Sequence, residues 1–235
     1  MIRGGAAARR RGAGRFIVLE GLDGAGTTTQ AQRLAAWLRG RGRTVHVTAE
    51  PSGGPLGALA RLVLTRRLGG GAAAGAAGFD AGALALVFAA DRLDHVAAEI
   101  APRLAEGTDV VSDRFTLSSL AYQSLTTGDA AWVEAVNAKA LAPDVTIFLR
   151  VPARVAVARR FAASASGARE LFEVPAFQRR VARSYERCIL RLRAAGQRVD
   201  VVDGALGLDD VTAAVARVVT PLLDRAAPAR HRRAG

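Results

Sequence analysis

The chain has a single cysteine and a single lysine among 235 residues. The lone Cys188 excludes an intramolecular disulfide framework and fits a reducing, cytoplasmic setting. In the helical stretch around it, its small side chain reads as core filling rather than as a nucleophile. No apolar run approaches 18 residues, which argues against a membrane span. No hydrophobic stretch precedes Phe16, so a secretory signal is not expected. With Lys139 the only lysine, the positive charge is almost wholly arginine. A net charge of +12 suggests a nucleic-acid partner. Five arginines, however, lie in residues 1–15 and four in residues 225–235, with no acid in either stretch. Without those nine the body carries only +3. Residues 1–14 and 225–235 are expected to be basic disordered tails, and a nucleic-acid role would rest on them alone.

What remains, residues 15–224, is long enough for one domain with a large core. Apolar strands are expected at 16–21, 44–48, 109–112, 145–149 and 199–202. Helices are expected at 27–39, 56–67, 81–106, 115–123, 130–141, from Pro152, from 172 or 174 to 195, and at 208–223. The long 81–106 helix would bury Leu84, Val87, Phe88, Leu93, Val96 and Ile100, and Pro102 near its end would kink it. Residues 69–78, rich in Gly and Ala, read as a mobile link, and 164–167 as part of a lid spanning about 159–174. Short apolar strands alternating with helices predict an α/β fold with a parallel sheet covered on both faces. No internal repeat is present.

The most informative stretch runs from Phe16 to Gln30. It reads as strand, glycine-rich turn and helix start, with the spacing Gly21-x-x-x-x-Gly26-x-Thr28 of a P-loop. Backbone N–H groups of Gly21, Leu22, Asp23, Gly24, Ala25, Gly26, Thr27, Thr28 and Thr29 would cradle phosphates at the positive end of the helix. The Thr28 hydroxyl would face Mg²⁺. Asp23 is an unusual acid inside such a loop, and Thr27 stands where the pattern has lysine.

Three further segments carry candidate chemistry. Asp113-Arg114 ends a central strand, where the carboxylate can hold Mg²⁺ and the guanidinium can clamp a phosphate; a surface ion pair is the plain alternative. Phe88 and Arg92, four apart on one helix face, could stack on a base and bond its edge, or be a core ring and a surface stem. His95 reads as a helix-surface or ion-pair residue. Ser118, Ser119, Tyr122 and Gln123 follow the Asp113 strand at spacings that can face one pocket or ordinary solvent.

Together these segments resemble the thymidylate kinase family of P-loop nucleoside monophosphate kinases, over about Phe16 to Leu223. The resemblance rests on Glu20 to Gln30, Glu50-Pro51-Ser52-Gly53-Gly54-Pro55, Phe88-Ala89-Ala90-Asp91-Arg92 with His95, and Asp113-Arg114-Phe115 followed by Ser118-Ser119-Leu120-Ala121-Tyr122-Gln123. It implies the P-loop NTPase fold with a five-stranded parallel sheet and small lid. It also implies transfer of the ATP γ-phosphate to dTMP in dTTP synthesis, with Mg²⁺, in a cytoplasmic homodimer. Phe88 would then stack on thymine, and Arg92 and Gln123 would contact the base. Tyr122 would sit against the deoxyribose and Asp23 would bond its 3′-hydroxyl. Arg114 would hold the acceptor phosphate, Glu50 would lie near it, and Ser119 would complete the pocket. Gly24 stands where one subclass has arginine; the other takes a catalytic arginine from the lid, for which Arg159, Arg160 and Arg169 are candidates, with Arg160 assigned here.

Two departures bear on function. Phe115 replaces tyrosine and loses a hydroxyl. Thr27 removes the charge that would bridge the β- and γ-phosphates, and losing one such electrostatic donor typically costs ~10²–10³ in rate. A catalytically impaired nucleotide-binding module and a kinase for another deoxynucleoside monophosphate are the rival readings.

Overall fold

The computed structural model describes residues 13–65, 67–68, 78–163 and 175–224. The two tails, the 69–77 stretch and lid residues 164–174 lie outside the described residues, as does Arg169.

Five parallel strands form one sheet, in the order β2-β3-β1-β4-β5. They are β1 Phe16–Gly21, β2 Val45–Ala49, β3 Asp109–Asp113, β4 Val145–Arg150 and β5 Val199–Asp203. Helices α1 Thr27–Arg39, α2 Pro55–Leu64, α3 Ala81–His95, α4 Ala101–Ala105, α5 Thr116–Thr127, α6 Ala130–Asn137, α7 Ala153–Ala163, α8 Pro175–Ala194 and α9 Leu208–Asp224 make the connections. This is the P-loop NTPase arrangement. β1 is apolar on both faces because both are covered: Ile17 and Leu19 pack with Leu34 and Leu38 of α1, while Phe16 and Val18 pack with Ile100, Leu104 and Phe115. All four side chains of that strand are at most 1 % exposed. Register sets Leu19 opposite both Asp113 of β3 and Ile147 of β4. The switch in strand order therefore brings the end of β3 beside the loop after β1, where ligands of open α/β sheets bind.

The long 81–106 helix is continuous but not uniformly α. After α3, residues Val96–Ile100 form a π-helical turn before α4, and the Ala101 N–H reaches back to the Val96 carbonyl. Pro102 explains it: a proline has no N–H to donate and its ring crowds the carbonyl four residues earlier, so one wider turn absorbs the misfit. The buried face of α3 also differs from the expectation. Leu84, Ala85, Ala89, Asp91, Arg92 and His95 are buried, whereas Leu93 is 40 % exposed. Polar partners across the helix, rather than apolar area, fix its rotation. Helix α6 ends at Asn137 rather than Leu141, and the Asn137 side chain accepts from Arg92 and donates to the Val133 carbonyl one turn back. Cys188 is buried in the main core, as read from sequence.

Candidate active site

The P-loop turns sharply between β1 and α1. Gly24 and Gly26 have φ of 86° and 92°, the left-handed region that favours glycine. Leu22 and Ala25 bury their side chains, so these positions offer only backbone to a phosphate. Thr28 and Thr29 begin α1 on its exposed side. Thr27 is 6 % exposed, and its methyl packs toward Gly21, 3.2 Å from where a Cβ would stand. The lysine position is thus filled by a side chain turned under the loop.

Asp113 ends β3 against this loop. Its Oδ2 accepts a short hydrogen bond from the Thr28 hydroxyl, while Oδ1 is buried with no hydrogen-bond partner. A carboxylate and a hydroxyl side by side, with one orphaned oxygen, fit a Mg²⁺ ion whose other ligands are water and phosphate. No cluster of three or more His, Cys, Asp or Glu suited to a metal occurs among the described residues, so only a site of this sparse type is available.

A cavity of about 130 Å³ opens beside the loop. Asp23, Glu50, Phe88, Arg92, Arg114, Ser119, Tyr122 and Gln123 all line it, together with Pro51, Leu64, Phe115 and Ser118. Six elements deliver these residues: the P-loop, the β2–α2 loop, α2, α3, the β3–α5 turn and α5 itself. Leu64, at the end of α2, adds an apolar wall that no motif pointed to.

Asp23 faces away from the phosphate cradle. Its Oδ1 accepts from Arg114 Nη2 at 2.6 Å, and its Oδ2 from Tyr122 Oη at 3.1 Å and from Gln178 Nε2 at 2.8 Å. Arg114 also donates Nη1 to Ser118 Oγ at 3.2 Å and to Tyr185 Oη at 3.3 Å. Burial works against the Arg114 charge, but Asp23, Tyr122, Tyr185 and Asp113 more than restore it and hold its pKa well above the ordinary value. Burial and the neighbouring Asp23 raise the Tyr122 phenol, so it stays a neutral donor. Glu20, beneath this layer, is fully buried; burial raises its carboxyl to about 7, against the opposing pull of Arg114, Ser118 and Phe115.

Arg92 corrects the reading of a surface stem. It is 1 % exposed, with Nη1 bonded to Asn137 Oδ1 and Nη2 to Ser119 Oγ at 3.0 Å and the Phe115 carbonyl at 3.3 Å. Its guanidinium lies over the Phe115 ring, 5.2 Å from the centroid, rather than against Phe88. Nη2 also forms an ion pair with Glu50 Oε2 at 2.7 Å, though no N–H is aligned on that oxygen. His95 is likewise buried, not on the helix surface. Its Nδ1 faces Glu50 Oε1 at 3.3 Å and its Nε2 faces Thr48 Oγ1 at 2.8 Å. Glu50 is therefore held by two cationic or polar neighbours from α3, one turn apart.

The arginine candidates differ in placement. Arg159 donates Nη1 to the Gly204 carbonyl at 2.8 Å. Arg160 is half-buried in α7, whose backbone presses on the P-loop: a Cβ on Gly24 would lie 2.1 Å from the Ala156 carbonyl oxygen and 3.0 Å from the Arg160 nitrogen. No side chain fits at Gly24. Motif reading gave no role to Gln178, Tyr185 or Asn137. Gln178 and Tyr185 are seven residues apart on one buried face of α8, and two polar residues at that spacing on an apolar stripe are the signal that would find them.

The loop, the Thr28–Asp113 pair and the adjoining cavity define a P-loop nucleotide-binding protein with a pocket beside its loop. The family model described as thymidylate kinase matches residues 19–215. The chain is 41 % identical over 218 residues to a thymidylate kinase of Thiobacillus denitrificans, covering 89 % of this chain and 98 % of that protein. It is 42 % identical over 214 residues to a thymidylate kinase of Thermomicrobium roseum, covering 89 % and 96 %. A putative thymidylate kinase of Aeropyrum pernix is 36 % identical over 211 residues, covering 87 % and 95 %. The chain belongs to the thymidylate kinase family.

Proposed function

We propose that the chain transfers the γ-phosphate of ATP to dTMP, giving ADP and dTDP. The observation that supports this best is the convergence of all eight acceptor-site residues on one cavity beside the P-loop. A dTMP phosphate oxygen forms the new bond to the γ-phosphorus as the bond to the β-phosphate breaks, and catalysis is mainly positioning and electrostatics. Arg114 holds the acceptor phosphate and offsets the repulsion between two anions. Asp23 accepts the deoxyribose 3′-hydroxyl, Tyr122 fills the space beside the sugar, and Phe88, Arg92, Ser119 and Gln123 surround the base. Glu50 stands near the acceptor phosphate, and Arg160 supplies charge from α7 to the transferring group. Thr28 and Asp113 would hold Mg²⁺, which when bound neutralises charge on the β- and γ-phosphates. We read the protein as a cytoplasmic homodimer; no helix among the described residues is long and apolar enough to cross a membrane.

Neither the fold nor the family comparisons lend support to a catalytically dead module. The test is ADP release coupled to a reporter, with dTMP and Mg²⁺, on the wild type and on Thr27→Lys. Clear dTMP-dependent turnover by the wild type is expected. Thr27→Lys, which restores a donor worth ~10²–10³ elsewhere, should raise it further. No dTMP-dependent ADP release at high enzyme would overturn the proposal.

A further inference from the structure

Glu20 is fully buried in β1, does not line the cavity, and has no part in the transfer described above. Its carboxylate faces the turn from β3 into α5. Oε1 accepts the Phe115 N–H at 2.9 Å and the Ser118 N–H at 3.0 Å. Oε2 accepts the Ser118 hydroxyl at 2.6 Å and lies 3.2 Å from the Tyr185 hydroxyl.

Both amides lie in the first turn of α5, where a helix start leaves N–H groups short of partners; the Ser118 N–H has besides Glu20 only the Phe115 carbonyl, at 3.2 Å. Helix α5 begins after Phe115, an apolar residue that makes no side-chain cap. Glu20 supplies from another strand the acceptor that a Ser or Asp cap would normally provide. The residue just before this cap is Arg114, the one non-glycine described residue with positive φ, at 73°. A side chain in that region is strained and persists only where its flanks are held. One flank is held by the Arg114 N–H bond to the Leu19 carbonyl at 2.8 Å, and the Ser112 hydroxyl donates to the Arg114 carbonyl at 2.8 Å. Glu20 holds the other. The left-handed turn aims the guanidinium back at Asp23, and the Ser118 and Tyr185 hydroxyls that touch Arg114 are the same two that touch Glu20. Tyr185 extends the linkage to the P-loop, since its hydroxyl also lies 3.1 Å from the Gly21 carbonyl.

We propose that Glu20 is the positioning residue of the acceptor-phosphate site: it clamps the Phe115–Ser118 turn and thereby fixes Arg114 in its left-handed, phosphate-facing conformation. The proposal rests on Arg114 holding that phosphate.

The experiment is steady-state kinetics on full-length Glu20→Gln, Glu20→Asp, Arg114→Ala and the Glu20→Gln/Arg114→Ala double variant, with melting curves. Glu20→Gln keeps the shape but turns one acceptor oxygen into a donor facing donors. It is expected to raise the KM for dTMP about tenfold or more, the loss expected for a hydrogen bond to a charged group, with the KM for ATP within about twofold. In the double variant the loss should be no greater than in Arg114→Ala alone, because Glu20 acts through that side chain. Glu20→Asp, which keeps the charge but retracts it, should fall between wild type and Glu20→Gln, and it decides the matter if the amide variant does not fold. Equal losses for ATP and dTMP, or additive losses in the double variant, would overturn the proposal. Unchanged dTMP kinetics in folded Glu20→Gln, with Arg114→Ala impaired, would sink it alone; unimpaired Arg114→Ala would sink it together with the phosphate reading of Arg114.

Discussion

Replacing Gly24 with alanine tests how tightly α7 is docked on the P-loop. Two costs add. The first is conformational: alanine at φ 86° is disfavoured by about 1–2 kcal/mol. The second is steric. The new Cβ would meet the Ala156 carbonyl oxygen at 2.1 Å, more than about 1 Å inside ordinary contact, and its neighbour is helix backbone with no rotamer to adopt. Overpacking of that kind adds about 1–3 kcal/mol, because either α7 or the loop must retreat. Together they make about 2–5 kcal/mol, or roughly 5–15 °C in melting temperature for a domain near this size. The retreat also carries Asp23 and Arg160 with it, and a displacement of about 1 Å can cost ~10² in turnover. Gly128→Ala is the matched control. Gly128 has φ 73° at the end of α5, with nothing within 4 Å of a Cβ, so only the conformational cost of about 1–2 kcal/mol applies and turnover should stay at the wild-type level. Thermal melts and coupled ADP release on the two variants give the comparison. A Gly24→Ala protein that melts with Gly128→Ala and turns over like wild type would refute the docking of α7 on the loop.

Other expectations follow from single contacts. Gln178→Leu deletes the 2.8 Å bond to Asp23 and should lower kcat/KM for dTMP about tenfold while sparing 3′-deoxy-dTMP, which lacks the hydroxyl Asp23 is read to accept; equal losses on both substrates would refute the route through Asp23. Glu20 should make stability fall with pH. Burial pushes its carboxyl up to about 7 in the fold, from the ordinary 4.5 of the unfolded chain, so the folded state binds the extra proton between those values. That stabilisation is complete below about pH 4.5 and is lost as pH rises through 7, amounting to about 3 kcal/mol. Denaturant midpoints from pH 5 to 8 should thus drop in the wild type relative to Glu20→Gln, and parallel curves would contradict it.

The order of elements was legible because short apolar strands and helical stripes have different periods, and both survive in a single chain. The turn between β1 and α1 was legible for a related reason: it is local, built from consecutive residues whose glycines permit it. The buried face of a helix was misread where tertiary polar contacts outweigh the local pattern: α3 turns Arg92 and His95 inward to meet Glu50, and Arg92 reaches on to the Asn137 side chain, leaving Leu93 in solvent. The positioning shell was illegible for want of any local mark. Glu20 and Tyr185 are 165 positions apart, and only the fold, with α8 packed along α5, brings them within bonding distance.

By itself, then, the sequence determined the strand–loop–helix of β1 and α1 and the set of side chains available to the cavity beside it. Those properties depend on neighbours along the chain, where covalent geometry fixes the distances. Only the tertiary structure decided that Thr27 turns beneath its loop, that Gly24 must remain bare under α7, and that Asp23 and Arg114 meet above a buried Glu20. Those depend on which elements the parallel sheet sets side by side, and strand order is a property of the folded core rather than of any segment in it.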